Sequence, residues 1–277
     1  MPMKILVCND DGYNAKGIKT LVKILKPLGD ITVVAPKTAQ SGMSMAVTMG
    51  YAPIAVRHIG LEDGVDWWYL DGTPASCVKF GIDNIFWPQK PDLVVSGINH
   101  GNNAATAALY SGTIGAAMEG SVNGVRSLGV SLDDWRPDAD FSGVEFWLPG
   151  ILEKLLKNFS KRSGTFYNIN FPGVPLNKIR GVRVSTMGMA HWEHEYERYD
   201  EDFLKSHDIK PREKDLWYVE HAEEGETMYV MAGDFTDNYG NAPTADHLLL
   251  YESFITITPQ NLNNTDYDEV SRLCDII

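Results

Sequence analysis

Three short aliphatic runs near the start of this chain are unbroken rather than alternating: KILVCN (4–9), DITVVAP (30–36) and PDLVVSGIN (91–99). A strand with one wet face alternates apolar and polar residues. An unbroken run is therefore a strand covered on both faces, as in a parallel sheet between helices. The intervening segments supply the covers. GIKTLVKILKPLG (17–29) places Ile18, Leu21, Val22 and Leu25 on one helical face and closes with Pro27 and Gly29. GTPASCVKFGIDNIF (72–86) reads as a loop opening into a helix. SGTIGAAMEGSVNG (111–124) reads as a helix of small residues capped by Ser111 or Thr113, and VRSLGVSL (125–132) as a further strand. Strand, helix and strand within about thirty residues form a βαβ unit, whose crossover is right-handed. Up to residue 132 the fold class is α/β, an open parallel sheet with helices on both faces.

Further on, FSGVEFWLPGILEKLLKNF (141–159) is an amphipathic helix, and GTFYNINFP (164–172) and KIRGVRVSTMG (178–188) read as strands. Residues 191–226 are charged, aromatic and rich in Glu and His, which suits an exposed arm or hairpin. LLLYESFITITPQ (248–260) contains the alternating strand SFITITP ahead of a polar tail. The expected organisation is a core over 1–190, an arm serving oligomerisation over 191–226, and a returning strand with tail over 227–277. Lys and Arg number 24 against 37 Asp and Glu, a net charge of −13, which argues against a nucleic-acid polymer as ligand. A small phosphate ester remains compatible with that charge if a metal supplies the positive field locally. The 3 cysteines are scattered and form no CxxC, as expected of reduced thiols. The first apolar run is too short for a signal peptide or a membrane span, so the expected location is the cytoplasm, with no membrane partner.

In open α/β sheets ligands bind outside the carboxyl ends of the strands. Three polar clusters fall there: Asn9–Asp10–Asp11–Gly12, Ser41–Gly42 and Ser96–Gly97–Ile98–Asn99. Asp-Gly is a common strand-ending turn, which is the plainer reading of the first. Adjacent carboxylates resist it, because two charges ~4 Å apart at an effective dielectric of ~20 repel by about 4 kcal/mol. Two carboxylates, a serine hydroxyl and an asparagine amide form an oxygen-rich set suited to one hard divalent cation, Mg or Mn, whereas zinc would favour His and Cys. YSGTIGAAMEG (110–120) adds Ser and Thr hydroxyls at a helix start, a place that binds phosphate; ordinary N-capping explains them equally well. His191 and His194 have a HxxH spacing, read here as solvated surface. Trp192, Tyr196, Tyr199, Trp217 and Tyr218 suit base stacking or a subunit interface.

NDDGYNAKGI, VVAPKTAQSGMSMAVT, GTPASCVKFGI, PDLVVSGINHGNNAATAALYSGTIGAAMEG and TADHLLLYESFITITPQ stand in this order across nearly the whole chain. Together they resemble the SurE (survival protein E) family of nucleotidases. The resemblance implies a metal-dependent phosphatase of nucleoside 5′- and 3′-monophosphates. It implies a Rossmann-like three-layer αβα domain with a protruding β-rich C-terminal arm or tail that exchanges segments in a homodimer or homotetramer. It carries the metal ligands onto Asp10, Asp11, Ser41 and Asn99. Asp10, Asp11 and Asn99 also become the catalytic residues, and Asn103, Ser111, Gly112 and Thr113 the substrate-binding ones. Two positions depart from the family pattern: Ala75–Ser76 stands where a polar pair ending in aspartate is usual, and Met189 follows Gly188 where a basic residue is common.

The expected mechanism sets phosphate between the metal and the helix start at Ser111–Thr113, with Asp11 orienting or deprotonating a water. Direct attack by an aspartate has no support in the sequence. A dinucleotide-using oxidoreductase is disfavoured, since no GxGxxG follows the first strand. The rival of another class is a nucleotide-binding sensor with the same site and little turnover.

Overall fold

A computed structural model describes residues 2–50, 52–211 and 213–277 of the chain. It divides into two compact units, Met1–Gly188 with Ala242–Ile277, and Met189–Asn241. The first unit runs β1 (Met3–Cys8), α1 (Lys16–Leu25), β2 (Gly29–Pro36), β3 (Val56–Glu62), β4 (Val65–Leu70), α2 (Pro74–Phe80), β5 (Leu93–His100), α3 (Ala107–Tyr110) and α4 (Gly112–Val122). It continues through β6 (Arg126–Leu132), α5 (Ser142–Lys157), β7 (Thr165–Phe171) and β8 (Val182–Val184). The second unit holds β9 (His191–Glu193), β10 (Tyr196–Arg198), α6 (Glu201–Ser206), α7 (Glu213–Glu220), β11 (Tyr229–Met231) and β12 (Asp234–Thr236). The chain then returns to the first unit with α8 (Asp246–Tyr251), β13 (Ile255–Asn261) and α9 (Tyr267–Cys274).

Nine strands of the first unit form one sheet in the order β3-β4-β2-β1-β5-β6-β7-β13-β8. From β4 to β7 every neighbouring pair is parallel, while β3 runs against β4 and β13 against β7. Alternate residues of β1 enter opposite layers. Ile5 and Val7 pack with Ile18 and Leu21 of α1 and Leu148 of α5, whereas Leu6 and Cys8 pack with Cys77 and Val78 of α2 and Ala116 of α4. All four β1 residues are fully buried, which is why the run carries no polar alternation. The expected three-layer α/β fold is the one observed.

The chain winds outward from β1 to β2 and β4 on one side, and from β5 to β6 and β7 on the other. The order therefore reverses between β1 and β5. The crevice beyond their carboxyl ends is where such sheets bind ligands. The small residues of α4 let that helix come close at three places. A Cβ on Gly120 would lie 2.4 Å from Ser127 Oγ, one on Gly115 1.8 Å from the Ser44 carbonyl oxygen, and one on Gly112 2.8 Å from Asp10 Cβ. Sheet packing explains only the first. The other two bring loops onto the helix start.

Some elements differ from the sequence reading. The strand expected over 178–188 forms a ladder only over Val182–Val184, with an isolated bridge from Thr186 to Ala245. The hairpin of β3 and β4 was not anticipated, although Asp63 and Gly64 both take positive φ (50° and 78°), the conformation that an Asp-Gly hairpin turn requires. Within Met189–Asn241, β10 pairs with β11 and β12 with β9, both antiparallel, and helices α6 and α7 lie between the strands in sequence. This region is thus richer than a plain hairpin. Asp200 caps α6 by accepting the amides of Asp202 and Phe203. Among the described residues no helix is long and apolar enough to cross a membrane.

Candidate active site

Asn9, fully buried at the end of β1, shapes the turn that follows. Its Nδ2 donates to the Gly12 carbonyl (3.0 Å) and its Oδ1 accepts the Gly12 amide (3.2 Å). Gly12 closes this clamp at φ 101°, a conformation that side-chain-bearing residues rarely adopt. Asp10 and Asp11 are held between the two ends of the clamp.

Asp10 is only 3% exposed. It lies against the first turn of α4, where Thr113 Oγ1 donates to its Oδ1 at 2.5 Å. The Thr113 backbone also donates to it. Burial, and then the charge of Asp11, push the Asp10 carboxyl up to about 6 despite these donors. Asp11 is also raised, chiefly by burial, with His100 opposing; the His100 amide donates to its Oδ2 at 3.3 Å. The pair is under-compensated by the protein alone.

Asn99 stands near the carboxyl end of the neighbouring strand, β5. The pairing of β5 with β6 shifts register between Gly97 and Asn99, and Gly97 sits at φ 133° with its Cα so near β6 that a Cβ would lie 2.2 Å from the Val130 carbonyl oxygen. Such an irregularity re-aims the side chains after it. Asn99 Nδ2 donates to the Gly101 carbonyl (2.8 Å), which leaves the amide oxygen as its acceptor.

Ser41 lies on the long loop after β2, which is fastened at four points. The Gln40 amide donates to the Asp10 carbonyl (2.7 Å), the Ser44 amide to the Tyr110 carbonyl (2.9 Å), and the Thr48 amide to Ser76 Oγ (3.1 Å). Thr73 Oγ1 donates to the Ala46 carbonyl at 2.5 Å. Ser41 itself is exposed, adjacent to the residue bonded to Asp10. Ser76, in the segment that departs from the family pattern, thus serves to anchor this loop.

These oxygens fit a hard divalent cation. Asp10 brings a buried carboxylate and Asp11 a half-buried one, both with proton affinity raised chiefly by burial, so a cation bound there would favour their ionised form. Among the described residues no group of three or more His, Cys, Asp or Glu side chains is placed to hold a metal, so the donor set rests on this pair. Magnesium is commonly held by one or two carboxylates with waters completing the octahedron. The helix start completes the crevice. Ser111 Oγ accepts the Ile114 amide (3.1 Å) and keeps its own hydroxyl proton to donate. Thr113 differs from its expected role, since its hydroxyl proton is already committed to Asp10.

The model of the family described as survival protein SurE matches residues 5–194, a span that holds every candidate residue above. The chain belongs to the SurE family. A protein named 5′-nucleotidase SurE from Cytophaga hutchinsonii is 35% identical over 269 residues, covering 97% of this chain and 95% of that protein. One of the same name from Bacteroides thetaiotaomicron is 35% identical over 273 residues, covering 98% and 95%. The crystal structure of the SurE protein from Aquifex aeolicus superposes with a TM-score of 0.75 at 29% identity, over 98% of each chain.

Some SurE-family motif residues in this chain support the site from behind rather than face it. Asn103 Nδ2 donates to Ser131 Oγ (2.8 Å), its amide to Asn170 Oδ1 (2.7 Å), and its carbonyl accepts Asn168 Nδ2 (2.7 Å). One of its side-chain N–H groups is therefore engaged by β6 inside the sheet. Asp246, fully buried, accepts the amides of Ala105, Gly188 and His247 at 2.9–3.0 Å. Neither the β7 asparagines nor Asp246 was singled out from sequence. Two asparagines in an otherwise apolar strand, YNINF, were the available signal. His191 of the HxxH pair faces Glu193 at 3.4 Å and Tyr239.

Proposed function

We propose that this SurE-family chain is a metal-dependent phosphomonoester hydrolase that releases phosphate from nucleoside 5′-monophosphates, and from 3′-monophosphates, in the cytoplasm as a homodimer or homotetramer. The observation that carries the reading is the Asp10–Asp11 pair at the sheet's switch point, its buried member Asp10 touched by the start of α4. Relatives named 5′-nucleotidase supply the substrate class.

Asp10, Asp11, Asn99 and Ser41 are the residues assigned to one magnesium or manganese ion. Bound there, a divalent cation would neutralise the carboxylate pair and polarise a phosphoryl oxygen. The start of α4 meets the phosphate through the Gly112 amide and the Ser111 hydroxyl, where the helix end favours negative charge. Asp11 is the less buried carboxylate and lacks the Thr113 donor, so it is placed to take the proton of an attacking water. Asp10, held by Thr113, stays fixed. Asn103 contributes by holding the loop that leads from Asn99 to Ser111.

Phosphate release from a panel of nucleoside 5′- and 3′-monophosphates, with chelator and with added magnesium or manganese, tests this reading. Metal-restored release on the 5′ esters is expected. Binding of the same nucleotides without release would make the chain a sensor instead.

A further inference from the structure

The loop after β6 is tied to the loop after β5. Asn102 Nδ2 donates to Asp133 Oδ1 (2.7 Å) and His100 Nδ1 to the Arg136 carbonyl (3.0 Å). The Asp133 amide also donates to the Phe171 carbonyl (2.9 Å), and Arg136 grips Asp134 through Nε (2.9 Å) and Nη2 (2.6 Å). Trp135 sits between these anchors. A Cβ built on Gly101 would lie 2.6 Å from each of three consecutive atoms of its six-membered ring. Only a point over the ring's face is equally far from all three, so one face of the indole covers Gly101. Trp135 is nonetheless 69% exposed, which leaves the other face open.

Gly101 is also the residue whose carbonyl accepts Asn99 Nδ2 at 2.8 Å. One glycine thus separates a candidate ligand of the reacting centre from a rigidly mounted aromatic face. The surrounding charges favour a neutral group on that face: Asp133, Asp134, Asp138 and Asp140 outnumber Arg136, which is paired with Asp134, and Lys16, whose Nζ donates to the Asp138 and Ala139 carbonyls. A phosphate is repelled here and drawn toward α4, while an uncharged ring is not.

We propose that Trp135 is the platform on which the substrate's nucleobase stacks, and so a specificity-determining residue of the site; this rests on the nucleotidase reading above. Base–aromatic stacking is tolerant of base identity, since each base presents a π-face. A Trp135 platform therefore favours nucleotides over base-free phosphate esters more than it discriminates among bases.

The test compares wild type, Trp135→Ala and Trp135→Phe on a purine nucleoside 5′-monophosphate and on ribose 5-phosphate, with phosphate release measured in saturating magnesium or manganese. Trp135→Ala should raise KM for the nucleotide about tenfold with kcat little changed, and leave both constants for ribose 5-phosphate unaltered. Trp135→Phe should retain most of the nucleotide affinity. Equal losses on both esters, or none on either, overturn the inference. If wild type turns over neither ester, the hydrolase reading fails separately. Calorimetric titration with the same nucleotide then decides Trp135: about tenfold weaker binding by the alanine variant supports it, and unchanged or absent binding overturns it.

Discussion

Replacing Asp10 by asparagine is expected to make the metal-free protein more stable. Asp10 is 3% exposed, and its carboxyl is pushed from 3.8 up to about 6 by burial and by the Asp11 charge. A shift of about two pH units corresponds to about 3 kcal/mol. Below pH ~3.8 the group is protonated in both folded and unfolded chains and carries no penalty. As pH rises toward about 6 the unfolded chain releases the proton first, so folded stability falls through this window and the whole penalty applies above it. Asparagine keeps the shape and an oxygen for the Thr113 hydroxyl, but its neutral amide holds the Thr113 donors less strongly, so a net gain of about 1–2 kcal/mol remains. At ~2–4 °C per kcal/mol for a chain of this size, Tm should rise by about 5 °C. Calorimetry in chelator at pH 8 reads the gain, and at pH 4 the difference should largely vanish. Added manganese should stabilise wild type by about 2.7 kcal/mol at a hundred times its Kd, and the variant by much less. A variant less stable than wild type at pH 8 in chelator, with the wild-type pH slope retained, would refute the reasoning.

Asn99→Asp adds a third carboxylate. Metal binding measured by calorimetry should be at least as tight, while phosphate, ~5 Å from the new charge at an effective dielectric of ~20, is opposed by about 3 kcal/mol, roughly a hundredfold in affinity. Thr113→Val removes the 2.5 Å donor to Asp10. Losing a bond to the ionised form raises the carboxyl further, so the pH midpoint of metal binding should move up by about one unit, with affinity recovered at pH 8. Excising residues 191–226, or the tail beyond 247, should lower the assembly mass measured by light scattering more than it weakens metal binding. A truncated protein of native mass would count against the assigned role of these segments.

The strand pattern was legible where burial is two-sided. KILVCN reads as a buried parallel strand, which puts the polar residues stopping it at the sheet's carboxyl edge. The β3–β4 hairpin was less visible because β3 is largely exposed and its apolar residues do not alternate cleanly, although Asp63–Gly64 marked the turn. The ends of β1 and β5 lie side by side as the topology requires, which sets Asp10, Asp11 and Asn99 at neighbouring strand ends. The partners that tune them were not readable. Thr113 meets Asp10 across 103 positions and Asp246 meets Ala105 across 141, and no local pattern encodes a contact between distant loops. Met189–Asn241 resisted for another reason: its charges and aromatics follow neither a helical nor a strand period, and its helices and ladders are short.

The central claim is that the carboxylate pair at the end of β1 exists to hold a cation that receives phosphate. Anomalous diffraction from crystals soaked in manganese tests it without reliance on turnover. A single strong peak within about 2.5 Å of oxygens from Asp10, Asp11 and Asn99, absent from Asp10→Asn crystals, is the predicted result. Full occupancy of manganese elsewhere, with the pair left bare, would contradict it.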